Sequence, residues 1–499
     1  MKNILSNKKK IMISFRAQTS ATIVSLLILA LSANATSMDV NDPYVPGSMT
    51  TLSLEKAVSL AQINDPWLRG NTLKQKAIEL KGSSVNTLPN PKISLGIANL
   101  PTNGFNFGQE AMTQVKVGIS QHFPRGNTLI IKSNQLKAQS KAFPYQRQDR
   151  KSKVAVTVGT LWLDAYQIQQ STALIVKSRS LFEQLADVAE ASYSAALGKT
   201  RQQDIVRAQL ELTRLDDRLD KLTQKSSNYE GALLQWLVKL PNDENPKISS
   251  SIKHEFIFKN YFFGNALPEI ELLNNNLEVS AHLLKARGLI NYFLSHPMIV
   301  AVDKQINATK IGINLAKQKQ QPAWGVNGSY GHRSDAPVGT SRANLFSVGL
   351  TMDLPLFNNN SQQQEVQSAI AQTEAVKTEK LLLLRQMLGA YSSAKRRLLR
   401  LADRQKLYQI KLLPQTIDQA EASLNAYTHN NGDFSAVVRS RIALLNTEID
   451  QLTLNVEEQK IRLELNYLFV NELNTHVIKI DNKTKNSESI TNASAGVKS

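Results

Sequence analysis

Two stretches of strict alternation punctuate the chain. In "VKVGISQHFPRGN", residues 115–127, Val115, Val117 and Ile119 are apolar while Lys116, Gly118 and Ser120 are small or polar. That two-residue period predicts a strand with one apolar face. Phe-Pro and Gly-Asn cut the run, and a helical pattern follows. "FSVGLTMDLPLFN", residues 346–358, repeats the arrangement with Phe346, Val348 and Leu350 as its apolar set. Upstream of each lies a second alternating run, Ile93, Leu95 and Ile97 in one case and Trp324, Val326 and Gly328 in the other. Strands are therefore predicted at about 92–99, 113–121, 323–331 and 344–353, and the polar, Gly/Pro-rich connectors at 100–110 and 332–342 read as exposed loops.

Longer helical patterns follow each strand pair. Val154, Val158, Leu161, Ala165, Ile168, Thr172 and Ile175 are spaced alternately by four and three, and Phe434, Val438, Ile442, Leu445, Ile449, Leu452 and Val456 keep nearly the same spacing. Such seams belong to helices packed side by side over many turns. Breaks are predicted at "ALGKTRQQD", 196–204, and "YTHNNGDFS", 427–435. An uninterrupted helix from Asn127 to Leu197 would extend about 100 Å, with Asn127 or Thr128 as its cap. Pro144 and Pro414 fall inside helical pattern, where each removes a donor and either kinks a helix or marks an element end.

The two halves share one offset. Pro66 and Pro297, Pro91 and Pro322, Gly118 and Gly349, and Pro124 and Pro355 are each 231 positions apart, and three of these pairs draw on only 16 prolines. Internal duplication is the expectation. The chain divides into a leader at 1–35, an N-terminal segment at 36–50, a first repeat at 51–240, a linker at 241–269, a second repeat at 270–472, and a polar tail at 473–499 expected to be disordered. Short helices are predicted at about 53–62 and 66–87, and a long one at about 203–239.

Composition changes this picture in two places. Lys2, Lys8, Lys9, Lys10 and Arg16 precede "ATIVSLLILALS" and Ala33-Asn34-Ala35, the layout of a secretory signal peptide. The chain has no cysteine, so an exported form is held by burial and helix pairing rather than by disulfides. The net charge of +18 falls to +13 without the leader, and the basic residues are spread among Asp and Glu along helices. That distribution suits solvated helix faces better than a nucleic-acid footprint. The histidines, His122, His254, His282, His296, His332, His429 and His476, show no metal-ligand spacing, and no G-x-S-x-G or phosphate loop is present. No enzyme, cofactor or metal site is expected.

Four strands with an apolar face cannot close a barrel of useful width alone. A barrel in a bilayer must close, because no water satisfies an open edge there, and strands of eight or nine residues suit an outer-membrane barrel. Several chains contributing four strands each is the simplest solution; a soluble sandwich at the end of a coiled coil is the other.

The duplicated junctions "ISQHFPRGNTL" and "LTMDLPLFNNN", the stretch "GKTRQQDIVRAQLELTRLDDRL" and its partner "AYTHNNGDFSAVVRSRIALLNTEIDQL" resemble the TolC family of outer-membrane efflux proteins. The resemblance covers nearly all of the sequence after the leader, and "RAQLEL" and "FPRG" are most similar to the heavy-metal resistance-nodulation-division branch. It implies a mixed α+β fold, mainly long α-helices, in a homotrimer whose 12-stranded outer-membrane β-barrel continues as a 12-helix α-barrel across the periplasm. It further implies a periplasmic adaptor, an inner-membrane pump of the resistance-nodulation-division type and outer-membrane lipid as partners, and small toxic solutes, metal ions or drugs, as cargo. A duct for type I protein secretion and a surface coiled-coil structural protein are the alternatives.

By the same resemblance the periplasmic entrance involves Gln202, Gln203, Asp204, Tyr427, Asp433, Arg439 and Arg441, and the strand-to-helix corners Pro124, Gly126 and Pro355. Acids that ring the family's constriction correspond here to Ala436 and Arg439. Arg439 and Arg441 are therefore expected to make the entrance less cation-selective, unless both are absorbed in helix-to-helix ion pairs.

Overall fold

The computed structural model describes residues 50–194, 201–239, 261–274, 286–355, 359–429, 432–471 and 477–478. The leader, most of the N-terminal segment, the first part of the linker, parts of both predicted breaks and most of the tail lie outside these residues.

The first half comprises strand β1 (Thr50–Thr51), helices α1 (Leu54–Asn64) and α2 (Pro66–Ser84), strands β2 (Lys92–Ala98) and β3 (Gln114–Phe123), then helices α3 (Thr128–Ser140), α4 (Phe143–Ser194) and α5 (Gln202–Leu237). Strand β4 (Tyr261–Phe262) pairs in parallel with β1. The second half comprises α6 (Ala286–Leu294), α7 (Pro297–Lys317), β5 (Ala323–His332), β6 (Leu345–Asp353), α8 (Asn359–Leu407), a π-turn (Tyr408–Leu412), α9 (Leu413–Thr428) and α10 (Phe434–Leu468). One antiparallel sheet has the order β2-β3-β5-β6. No helix among the described residues is long and apolar enough to cross a membrane.

The helix expected from Asn127 to Leu197 is two helices. It stops at Ser140, and Phe143 and Pro144 open α4 after a turn at Lys141 and Ala142. The cause is local: proline has no N–H to give the preceding turn and restricts the residue before it, but is accommodated in a first turn. Pro144 thus marks an element start. Pro414 behaves differently, because the five-residue π-turn immediately ahead of it keeps the chain helical. There the Leu413 N–H reaches back to the Tyr408 carbonyl, and the wider turn accommodates the donor missing at Pro414.

The seams do the packing. Ile175, Phe182 and Ala189 of α4, Ala208 and Leu215 of α5, and Phe434, Val438 and Leu445 of α10 form one core near the helical breaks. A second core gathers Val154, Val158, Trp162 and Tyr166 with α1, Phe263 and Ile270. Val477, placed by its sequence in a polar tail, is buried in this second core. The reason is Asn466, itself fully buried, whose amide donates to the Val477 carbonyl at 2.8 Å and to the Glu271 carbonyl at 2.8 Å.

Two caps at the 231 offset use different chemistry. The Asp65 carboxylate accepts the Trp67 N–H at 3.0 Å and pairs with Arg150 at 2.7 Å. Its counterpart His296 is 0% exposed; Nδ1 accepts the Met298 N–H at 3.2 Å, while Nε2 lies 3.0 Å from the Tyr467 carbonyl. A backbone donor on one side and a carbonyl on the other assign the neutral, Nε2-protonated tautomer. Burial pushes the His296 pKa down, outweighing the pull of nearby Asp149. An unfolded histidine takes its proton near pH 6.5, so the contribution of His296 is intact above that pH and is lost as pH falls below it. Thermal unfolding between pH 7 and 5 is expected to show this loss, with a slope of at most about 1.4 kcal/mol per pH unit. His296→Asn, which caps without titrating, should flatten the profile.

Candidate functional site

The sheet's register sorts its side chains into two faces. Ile93 lies opposite Ile119 and Leu95 opposite Val117; Val117 lies opposite Tyr330, Phe123 opposite Trp324, Val326 opposite Leu350, and Tyr330 opposite Phe346. All stand on one face, because residues directly opposite share a side and alternate residues return to it. This face is uncovered: Ile93 and Leu95 are each 78% exposed and Phe346 is 74% exposed. The opposite face carries Lys92, Ser94, Gly118, Ser120, Asn327, Ser329, Ser347 and Thr351. Among the described residues β2 pairs only with β3 and β6 only with β5, so both outer edges present free backbone donors and acceptors. An exposed apolar surface of this extent with open edges is a surface for association.

The corner after β3 is clamped to the other half of the chain. Pro124 ends the ladder, and Arg125 spans Asp353 at the end of β6 (2.5 Å) and the carbonyls of Lys319 (2.6 Å) and Gln321 (3.3 Å). Gly126 has φ +47°, in the left-handed region, and a Cβ there would collide with the Gln318 amide oxygen. That oxygen instead accepts the Asn127 N–H at 2.9 Å. The cap of α3 thus comes from across the molecule: the Asn127 side chain makes no capping bond, and the Thr128 hydroxyl donates to the Arg125 carbonyl at 2.5 Å. Pro355 follows β6 after one residue, Leu354, and residues 356–358 beyond it are outside the described chain.

At the helical tip the structure brings together part of the expected set. Asp204 is 4% exposed, and its carboxylate, from the third position of α5, reaches back to accept the Arg201 N–H at 3.0 Å, which ties it into the start of the helix rather than leaving it a free surface charge. Gln202 and Gln203 are exposed beside it. Tyr427 is half-buried and packs edge-on against Phe434, ring centres 5.5 Å apart. Asp433 is exposed; a hydrogen bond from the Ser435 hydroxyl, with Arg207 and Arg439 nearby, holds its carboxyl below the usual carboxylate range. Arg439 is exposed and bonds back along its own helix to the Ser435 carbonyl at 3.2 Å. Neither Arg439 nor the half-buried Arg441 enters an ion pair within 4 Å among the described residues, although Asp433 feels the Arg439 charge.

Arg125, Gln318 and Arg207 escaped the sequence reading. The first two are joined to the corner across roughly 190 residues or more, and no local pattern records such a contact. Arg207 carries one signal, its place one turn into α5 on a helix that packs beside α10.

The fold is shared with solved outer-membrane proteins. The Campylobacter jejuni CmeC outer membrane channel is 14% identical, over 87% of this chain and 88% of that one, with a TM-score of 0.65. The Vibrio cholerae outer membrane protein VceC is 12% identical, over 84% of this chain and 96% of that one, with a TM-score of 0.63. The Neisseria gonorrhoeae MtrE outer membrane channel in its open state is 14% identical, over 85% of this chain and 91% of that one, with a TM-score of 0.62. No protein-family model matches the sequence, and no curated protein does.

Proposed function

We propose that this chain is one protomer of a TolC-family outer-membrane efflux channel, a homotrimer in which three four-stranded sheets close a 12-stranded barrel and the helices continue it as a 12-helix periplasmic tunnel. One observation carries the reading. A sheet with an exposed apolar face, a polar opposite face and, among the described residues, two unpaired edges is completed by lipid on one side, an aqueous lumen on the other and copies of itself at its edges. The shared fold of the solved channels supports it, as do the strands of nine and ten residues in β3, β5 and β6. Duplication is supported by the 231-residue spacing between the starts of α2 and α7, β2 and β5, and β3 and β6.

In this role the protein carries out no chemical step. An inner-membrane pump of the resistance-nodulation-division type delivers small toxic solutes through a periplasmic adaptor, and the barrel releases them outside. Purification from the outer membrane as a detergent-dependent trimer that conducts ions in planar bilayers is the expected result. A monomer soluble without detergent would sink the reading.

The tip sets a second expectation. With Asp433 flanked by Arg207 and Arg439, the acid is locally balanced and Arg441 adds positive charge. Arg439→Asp should shift single-channel permeability toward cations. An unchanged, cation-preferring ratio would show that the arginines do not govern the entrance.

A further inference from the structure

The polar face of the sheet has an uneven charge. Its titratable groups are Lys92 on β2, Lys116 and His122 on β3, and Asp353 at the end of β6. Asp353 is the one acid in the four strands, and Arg125 engages it at 2.5 Å. Lys92 and Lys116 are exposed and enter no ion pair among the described residues. Lys116 lies between Gly96 and Gly331, neither of which has a side chain to cover or pair its amine. Lys92 lies opposite Ser120, four residues along β3 from Lys116.

We infer that Lys92 and Lys116 make the barrel lumen an anion-attracting segment, so that this channel favours small anionic solutes. The inference rests on the trimeric channel reading, which turns the polar face inward and repeats each lysine three times. Two rings then lie roughly 7–13 Å apart along the axis, given about 3.3 Å per residue, a strand tilt near 40° and the step of about 3 Å between opposite residues on neighbouring strands. Twelve strands spaced about 4.8 Å apart at that tilt enclose a cylinder of roughly 12 Å radius. At about 10 mM salt the screening length is near 30 Å and the lysine field fills the lumen, whereas at 1 M it is about 3 Å and the axis is screened. Anion preference is therefore strong in dilute salt and fades in concentrated salt, which distinguishes a charged wall from a narrow filter.

The purified trimer in planar bilayers under a potassium chloride gradient is the test. Wild type should give a reversal potential of the chloride sign. The double variant K92Q/K116Q should lower the chloride-to-potassium permeability ratio by a factor of about three or more near 10 mM salt, and by little at 1 M. Because the chain has no cysteine, Lys116→Cys offers a second route. A cationic methanethiosulfonate should restore the chloride preference of that variant, and an anionic one should reverse it. Conducting trimers whose selectivity ignores both the double variant and the thiol reagents would overturn the lysine assignment while leaving the channel intact. A chain that forms neither trimer nor conductance would overturn the channel reading, and this inference with it.

Discussion

A Val348→Arg chain is expected to lose about 2–4 kcal/mol of stability per copy in a bilayer, the cost of an arginine on the lipid face of a barrel near the midplane. Val348 is 69% exposed, sits near the middle of β6 opposite Gly328, and belongs to the row that includes Phe346 and Leu350. In a trimer the change occurs three times, so the assembled barrel loses roughly 6–12 kcal/mol, comparable to the whole stability of many folded domains. Detergent-resistant trimer recovered from the outer membrane should therefore nearly vanish. Ser347→Arg, one position away, is the control: its side chain projects from the opposite face, where Ser347 lies opposite Ser329. In an aqueous lumen that arginine stays hydrated and trimer yield should hold. If both variants assemble equally well, the exposed apolar face does not meet lipid.

Trp162→Ala is expected to destabilise the helical body by about 3–5 kcal/mol, the usual cost of deleting a buried aromatic side chain. Trp162 is 2% exposed, stacks on Tyr166 with ring centres 5.6 Å apart and meets Phe263 edge-on at 5.7 Å. Its indole Nε1 donates to the Leu52 carbonyl at 2.7 Å, which ties α4 to the segment just before α1. Trp162→Phe keeps much of the packing but removes that donor, so a smaller loss of about 1–3 kcal/mol follows for the unpaired buried carbonyl. Thermal unfolding at fixed protein and detergent concentration should rank the three chains as wild type, Phe, Ala. An alanine variant as stable as wild type would show that this cluster does not hold the first-half helices to the 261–274 segment.

Much of the architecture was legible because it depends on local periodicity. Alternation in 115–121 and 346–352 places strand and apolar face together, since a two-residue period leaves no freedom about which side a residue takes. The seam from Val154 to Ile175 is similarly self-declaring, and most of its members are buried. The break after Ser140 was less legible: polar, helix-compatible residues lie on both sides of it, and only the local geometry of Phe143-Pro144 ends one helix and starts another. The tip shows the same limit. Asp204 and Asp433 are both acids at helix starts, yet one is buried and bonded back to the Arg201 N–H while the other stands exposed beside two arginines.

Sequence by itself determined the strands, the apolar face, the long seams and the 231-residue spacing, because each is written in side-chain chemistry at fixed intervals along the chain. Only the tertiary structure decided that Arg125 and Gln318 close the corner, that His296 is a buried neutral cap, that Val477 returns to the core, and that Lys92 and Lys116 share a face whose one acid is already engaged. These depend on residues brought together from distant parts of the chain, and a hydrogen bond or charge pair leaves no periodic trace by which either partner can be found alone.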